Sequence, residues 1–270
     1  MTLMCDRPTV MGILNVTPDS FSDGGLYTHL DRALKRVEQM IAEGVDIVDI
    51  GGESTRPGAQ PVGEPEEIDR VVPLVEAIKS RLDVAISVDS SKPGVMRAAV
   101  AAGADMLNDV RALQEEGALQ AVAESRVPVC LMHMQGEPRT MQTNPVYEDV
   151  VSDVMAFLSQ RIDACLELGI AKEKLVVDPG FGFGKNLSQN LTLLHELNRF
   201  KSFGLPILVG LSRKSMIGMI LDKPVDQRLS ASLAAATIAL WQGVSILRVH
   251  DVAATVDVVK VYQAVVQHSD

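Results

Sequence analysis

The chain has 270 residues, 47% of them hydrophobic, with 20 Gly and 13 Pro, which excludes disorder for the bulk and suffices to bury one sizeable core. Lys plus Arg total 25 against 35 Asp plus Glu, a formal net charge of −10 with no basic run, and aromatics are 4%, so no nucleic-acid partner is expected. The scattered Cys5, Cys130 and Cys165 form neither a disulfide framework nor a Cys-rich zinc site and suit a reducing, cytoplasmic setting. Asp6, Arg7 and Pro8 stand where a secretory signal needs apolar residues, and the least polar later stretch, 231–241, is too short to span a bilayer, so no membrane partner is expected.

Short β-branched or leucine-rich runs alternate with longer amphipathic stretches about eight times without a Pro/Ser-rich linker, which predicts one domain, 1–270. In chain order the strands fall at 9–16, 45–51, 84–89, 106–110, 127–133, 174–179, 206–212 and 245–250. Helical patterns occupy 30–42, 65–81, 93–102, 146–168, 229–241 and 252–266. In the first, Leu30, Leu34, Val37 and Ile41 recur at three- and four-residue steps and define one buried stripe.

Each predicted strand delivers a polar side chain at or near its carboxyl end: Asn15, Asp49, Asp89, Asn108, His133, Asp178, Ser212 and His250. A following loop explains any single ending. Eight of them, rich in carboxylates, amides and imidazoles, point to a shared mouth. The fold class expected is therefore α/β, a single TIM-like (β/α)8 barrel with its ligand site at the carboxyl ends of the strands. An open doubly wound sheet, which also binds ligands beyond its strand ends, is the alternative.

The segment from Gly180 to Lys185 lacks the glycine spacing of a phosphate loop, having Pro179 before it and Asn186 after it, and reads as a flexible turn that brings backbone and Phe183 near a flat ligand. Loops 17–25 and 53–65 are candidate lids, and Thr55, Arg56 and Pro57 form an anion-capable tip on the second. Arg56, Arg213, Lys214, Arg248 and His250 lie near the proposed mouth and predict a locally positive site for an anionic substrate, with Arg213 read as a structural ion-pair partner. Arg248 and His250 share one strand face and favour anion binding. Asp89, Asn108 and Asp178 supply short, directional hydrogen-bonding groups suited to a guanine-like or pterin-like ring. Paired carboxylates also leave glycoside hydrolysis open. His29, His195 and His268 read as surface residues, and His133 as a core or rim residue.

Five motifs in order, GILNVTPDSFSDGG from Gly12, DIGGESTRPG from Asp49, DPGFGFGK from Asp178, SRKSMIG from Ser212 and RVHD from Arg248, closely resemble the bacterial dihydropteroate synthases over nearly the whole length. The resemblance implies a barrel that joins 6-hydroxymethyl-7,8-dihydropterin diphosphate to p-aminobenzoate, releasing diphosphate and forming 7,8-dihydropteroate. It assigns the pterin ring to Asp89, Asn108, Asp178 and Lys214, with Arg248 over the ring and Met132 lining the pocket. It assigns diphosphate and Mg2+ to Asn15, Arg56, Arg248 and His250, with Asn15 as the metal ligand. Phe21, Thr55, Arg56, Pro57, Phe183, Ser212 and Lys214 would surround p-aminobenzoate, where sulfonamides would compete, and Asp49 would sit at the mouth in support. Asp23 would stabilise a cation formed as diphosphate leaves, in a dissociative substitution. A homodimer through the barrel helices is implied. Ser90, Gly94 and Glu137 depart from the family's usual residues without removing a proposed contact. Two rivals share the ring-reading set: a pterin-dependent methyltransferase, which needs no diphosphate site, and a pterin binder without turnover.

Overall fold

The computed structural model describes residues 7–16, 26–54, 60–137, 140, 141, 143 and 145–268. Phe21, Asp23, Thr55, Arg56 and Pro57 lie outside the described residues, as do the whole first candidate lid, 17–25, and residues 55–59 of the second.

Eight strands form one parallel sheet: β1 (Thr9–Asn15), β2 (Ile47–Gly51), β3 (Ala85–Asp89), β4 (Met106–Asp109), β5 (Val129–Met132), β6 (Leu175–Asp178), β7 (Leu208–Val209) and β8 (Ile246–Val249). Their order is β6-β5-β4-β3-β2-β1-β8-β7. The two outer strands then meet, through a parallel bridge between Val177 and Ile207 and a 3.1 Å bond from the Val177 N–H to the Pro206 carbonyl. That closure makes a barrel and rules out the open sheet. Around it lie α1 (Leu26–Glu43), α2 (Glu64–Arg81), α3 (Pro93–Ala101), α4 (Ala118–Ser125), α5 (Val150–Glu167), α6 (Leu187–His195), α7 (Ser215–Leu221), α8 (Leu229–Trp241) and α9 (Val252–Gln267).

Strand side chains alternate between faces, so the wall separates two cores. Met11, Ile47, Met106, Cys130, Val176, Leu208 and Ile246, with Ala85 against them, form an inner plug with one residue from each strand. Their sequence neighbours, among them Val10, Val48, Ile86, Leu107, Val129, Val177 and Leu247, join the larger core against the helices. Two residues further along the same inward faces stand Asp49, Asn108, Asp178 and Arg248. The polar groups therefore rise from the top of an apolar floor, about 6.6 Å above it at the rise of a parallel strand.

Several boundaries differ from the sequence reading. Helix α5 starts at Val150 rather than 146, because the Asp149 carboxylate accepts from the Ser152 N–H at 2.7 Å and caps the helix there. Strand β7 shrinks from 206–212 to two residues, since it pairs with β8 only at Leu208 and Val209 before the chain turns over Leu211 and Lys214. Helices α4, α6 and α7, of 8, 9 and 7 residues, are too short to show a helical period in the sequence. Among the described residues no helix is long and apolar enough to cross a membrane.

Candidate active site

Asp49 is fully buried, and its Oδ2 accepts from Arg248 Nε at 2.6 Å and from Asn108 Nδ2 at 3.3 Å. The other edge of the guanidinium reaches Asp89, with Nη2 to Oδ2 at 2.7 Å. One cation thus serves two carboxylates, and Asp89 is fixed at the carboxyl end of β3 opposite its register partner Asn108 on β4. The barrel's stagger makes this reach possible. Arg248 pairs with Met11 while Asp49 pairs with Ile13, so the long Arg side chain spans one pleat to meet the carboxylate above it.

Asp178, level with Met132 across the β5–β6 ladder, accepts the Gly180 N–H at 2.7 Å. Met132 belongs to an apolar cluster with Val110, Met141 and Phe183, and Lys214 Nζ stands 4.3 Å from the centroid of the Phe183 ring. The flat face and the polar edge of the slot are therefore built from different strands. Ser212 Oγ lies 3.0 Å from His250 Nδ1 and accepts the His250 backbone N–H at 3.2 Å, which joins the ends of β7 and β8.

Burial dominates the ionisation of these groups. It pushes Asp89 up to about 7, with Arg248 opposing and the charges of Asp49, Asp109 and Glu67 adding to the rise. It pushes Asp178 up to about 6 against the Gly180 N–H, Lys214, Lys185 and Arg248. Lys214 is drawn down to about 8 by burial and by Arg248. Arg248 is itself disfavoured by burial, yet its two carboxylates raise its pKa and keep it charged. The result is a slot of acceptors, with one amide and one ammonium as donors, matched to a flat heterocycle that offers amine hydrogens on one edge and a carbonyl on another.

A family model for pterin-binding enzymes matches residues 11–250. Dihydropteroate synthase of Haemophilus influenzae is 60% identical over 257 residues, covering 95% of this chain and 94% of that one. The chain belongs to the dihydropteroate synthase family. Membership makes it a transferase. Among solved structures it resembles Yersinia pestis dihydropteroate synthase in a sulfonamide drug complex, with a TM-score of 0.93 and 53% identity over 99% of this chain and 96% of that one. It also resembles the Xanthomonas albilineans enzyme with 4-aminobenzoic acid, with a TM-score of 0.91 and 52% identity over 98% and 94% of the two chains.

The structure brings Asp49, Asp89, Asn108, Met132, Asp178, Phe183, Lys214 and Arg248 to one end of the barrel, as the sequence reading expects. It corrects that reading on four counts. His133 takes the core alternative of that reading and leaves the ring of strand-end groups at the mouth: next to inward-facing Met132, it points outward, packs edge-on against Phe157 at 4.9 Å between ring centroids and is buried. The described cations do not make a surplus of positive charge, because Arg248 is shared by Asp49 and Asp89, and Arg213 pairs with Asp251 through Nε at 2.9 Å and Nη2 at 2.5 Å. Asp49 supports the site as expected but from one pleat below Asp89, whose register partner on β2 is Gly51, so it is fully buried rather than at the rim. Finally, the turn from Gly180 to Lys185 is pinned rather than flexible. Gly180 and Gly184 adopt φ of +71° and +63°, and a Cβ on either would run into the carbonyl oxygen of His133 or Gln135.

Arg213 has φ +58°, an uncommon conformation for a residue with a side chain. Besides its ion pair, its N–H donates to Ser232 Oγ at 2.9 Å and its carbonyl accepts from Arg228 Nη1 at 3.2 Å. These bonds hold the turn that presents Lys214. The sequence reading therefore identified Arg213 as an ion-pair partner but missed the turn it anchors.

Proposed function

We propose that this chain condenses 6-hydroxymethyl-7,8-dihydropterin diphosphate with p-aminobenzoate by dissociative substitution, giving 7,8-dihydropteroate and diphosphate, and that 1–270 act as one pterin-binding barrel domain. The observation that carries this reading is the shared guanidinium of Arg248, which aligns Asp89 beside Asn108 and across from Asp178 as one hydrogen-bonding edge. In this reading Asp178 and Asp89 accept ring N–H groups, Asn108 and Lys214 complete the edge, and Met132 and Phe183 flank the plane.

As the exocyclic carbon–oxygen bond breaks, the electron-rich ring carries the positive charge and the carboxylates stabilise it. Arg56, His250 and the Nη1 of Arg248, which has no partner among the described residues, would receive the departing diphosphate. Asp23 would help hold the cation. The neutral arylamine, seated among Phe21, Thr55, Arg56, Pro57, Phe183 and Ser212, then attacks the carbon and loses a proton without a dedicated strong base.

Among the described residues no group of three or more His, Cys, Asp and Glu is placed to hold a metal ion. Asn15, whose Oδ1 would lie 3.4 Å from a Cβ on Gly51 at the mouth, offers one neutral oxygen. Such a donor fits Mg2+, which commonly takes one or two protein oxygens and completes its shell with phosphate and water. When bound, Mg2+ would neutralise charge on diphosphate.

A homodimer suits the exposed apolar surface carried by Met219 and Ile220 on α7 and by Leu229, Ile238 and Trp241 on α8. Sedimentation of the wild type and of Trp241→Glu tests it, and a wild-type monomer at micromolar concentration would refute it. A cytoplasmic location accords with the reduced cysteines expected there.

The deciding assay incubates purified protein with both substrates and Mg2+ and measures diphosphate and 7,8-dihydropteroate. Stoichiometric appearance of both is expected, and sulfonamides should inhibit competitively against p-aminobenzoate. Pterin binding without product would sink the catalytic reading, whereas diphosphate release without arylamine incorporation would sink the condensation.

A further inference from the structure

Lys185 is a buried amine to which the proposed mechanism gives no task, and burial draws its pKa down to about 7 against the charge of Asp178. It is 2% exposed and forms no ion pair among the described residues, yet its Nζ sits amid acceptors. The Gly180 carbonyl lies at 2.8 Å, His133 Nδ1 at 2.9 Å and the Phe183 carbonyl at 3.0 Å, with the His133 carbonyl at 3.4 Å. The three protons of an ammonium match the first three contacts. When Lys185 is protonated it can only donate, so Nδ1 accepts and the His133 proton resides on Nε2; burial and the Lys185 charge keep the ring neutral by lowering its pKa.

The same turn is tied from its other side. Asn190, also buried, accepts the Gly182 N–H at 2.7 Å and donates to the Lys185 carbonyl at 3.0 Å. The side chain this double tie presents to the site is Phe183, packed with Met132 beneath the Lys214 ammonium.

We propose that Lys185 is a positioning residue for the arylamine half of the site, its ammonium gathering the Gly180 and Phe183 carbonyls so that the Phe183 ring stands as a fixed wall for p-aminobenzoate. This rests on the reading of Phe183 as part of the arylamine pocket. Asp178 makes no bond to Lys185 among the described residues and meets the same turn through the Gly180 N–H alone, whereas Phe183 is held by Lys185 directly through its carbonyl, so the pterin edge should depend on Lys185 less.

A double-mutant cycle tests the proposal, with Lys185→Met, Phe183→Ala and the double variant assayed for both KM values and kcat. Lys185→Met should raise KM for p-aminobenzoate about tenfold, while kcat and KM for the pterin diphosphate change less than about threefold. In the Phe183→Ala background the same substitution should change KM for p-aminobenzoate less than about twofold, because the wall it positions is gone. Full additivity, or an unchanged KM in Lys185→Met when Phe183→Ala raises it, would overturn the positioning role and leave Phe183 in its pocket. An unchanged KM in Phe183→Ala would instead reject the pocket assignment, and this inference with it. Should Lys185→Met fail to fold, Lys185→Gln, which keeps an N–H pair for two of the acceptors, enters the same cycle with an expected rise of about threefold.

Discussion

The lower and upper levels of the barrel interior are one pleat apart and chemically opposite. Below, Met11, Ile47, Met106, Cys130, Val176, Leu208 and Ile246 close the tube with apolar side chains. Above, Asp49, Asn108, Asp178 and Arg248 fill the same bore with groups that burial penalises. The lower layer makes the barrel stable, and it makes a dry base on which the upper layer's hydrogen bonds and charges act at reduced dielectric. The upper layer is correspondingly costly, and only pairing offsets that cost. Asp49 still keeps one buried oxygen, Oδ1, without a partner among the described residues.

The sharpest way to break this contrast is to remove the cation on which the upper layer depends. Arg248→Met leaves Asp49 and Asp89 buried without their counter-charge, and should cost about 3–5 kcal/mol of stability and most of the activity. Denaturant titration alongside turnover checks it, and a stable, active variant would show that the shared ion pair is dispensable. Asp178→Ala should instead spare the fold and cost on the order of 3 kcal/mol in transition-state stabilisation, read as a fall of about 100-fold or more in kcat/KM for the pterin substrate. Near-wild-type turnover would remove Asp178 from the reading edge.

Acidification should move the upper level's contributions to activity and to stability in opposite directions. With pKa values near 6 for Asp178 and 7 for Asp89, protonation on going from pH 8 to pH 5 removes acceptors, so kcat/KM should fall as the pH drops through that range. Stability carries the reverse sign. Both folded values lie above the ordinary 3.8, so between 3.8 and about 7 the folded state binds more protons than the unfolded. These two groups therefore favour folding at low pH, and that contribution is lost as pH rises through 6 and 7. Removing Asp178 by Asn should flatten its share of that slope, and an unchanged stability profile would contradict the assignment. The smallest expected effect lies below: Ile47→Val should cost about 1 kcal/mol of stability with neither KM altered, and a changed KM would mean the floor is not insulated from the site.

Why some of this was legible in the sequence follows from the same layering. A parallel barrel brings strand carboxyl ends together whatever their spacing along the chain, so Asp89, Asn108, Asp178 and Arg248 could be grouped from their positions at the ends of apolar runs. The two-residue period would also have turned His133 outward once Met132 was placed inward, a deduction that counting polar strand ends overlooked. The capping pair Asn186 and Gln189, which fixes the start of α6, stood in the sequence as well, but the short helix gave too little periodicity to be assigned. Other features depend on tertiary geometry. The stagger that lifts Arg248 to Asp49 is a property of the closed sheet. Lys185 bonds mainly to main-chain carbonyls, which leave no side-chain pattern to read, and the ion pair between Arg213 and Asp251 joins residues 38 apart.

The central claim is that the upper layer reads the pterin while the lower layer only supports it. Calorimetric titration of the diphosphate-free pterin alcohol into wild type, Asp178→Ala and Ile47→Val tests it most directly, because arylamine and diphosphate contacts are absent. Binding should weaken about 100-fold in Asp178→Ala and stay unchanged in Ile47→Val. Equal affinity in wild type and Asp178→Ala would contradict the account.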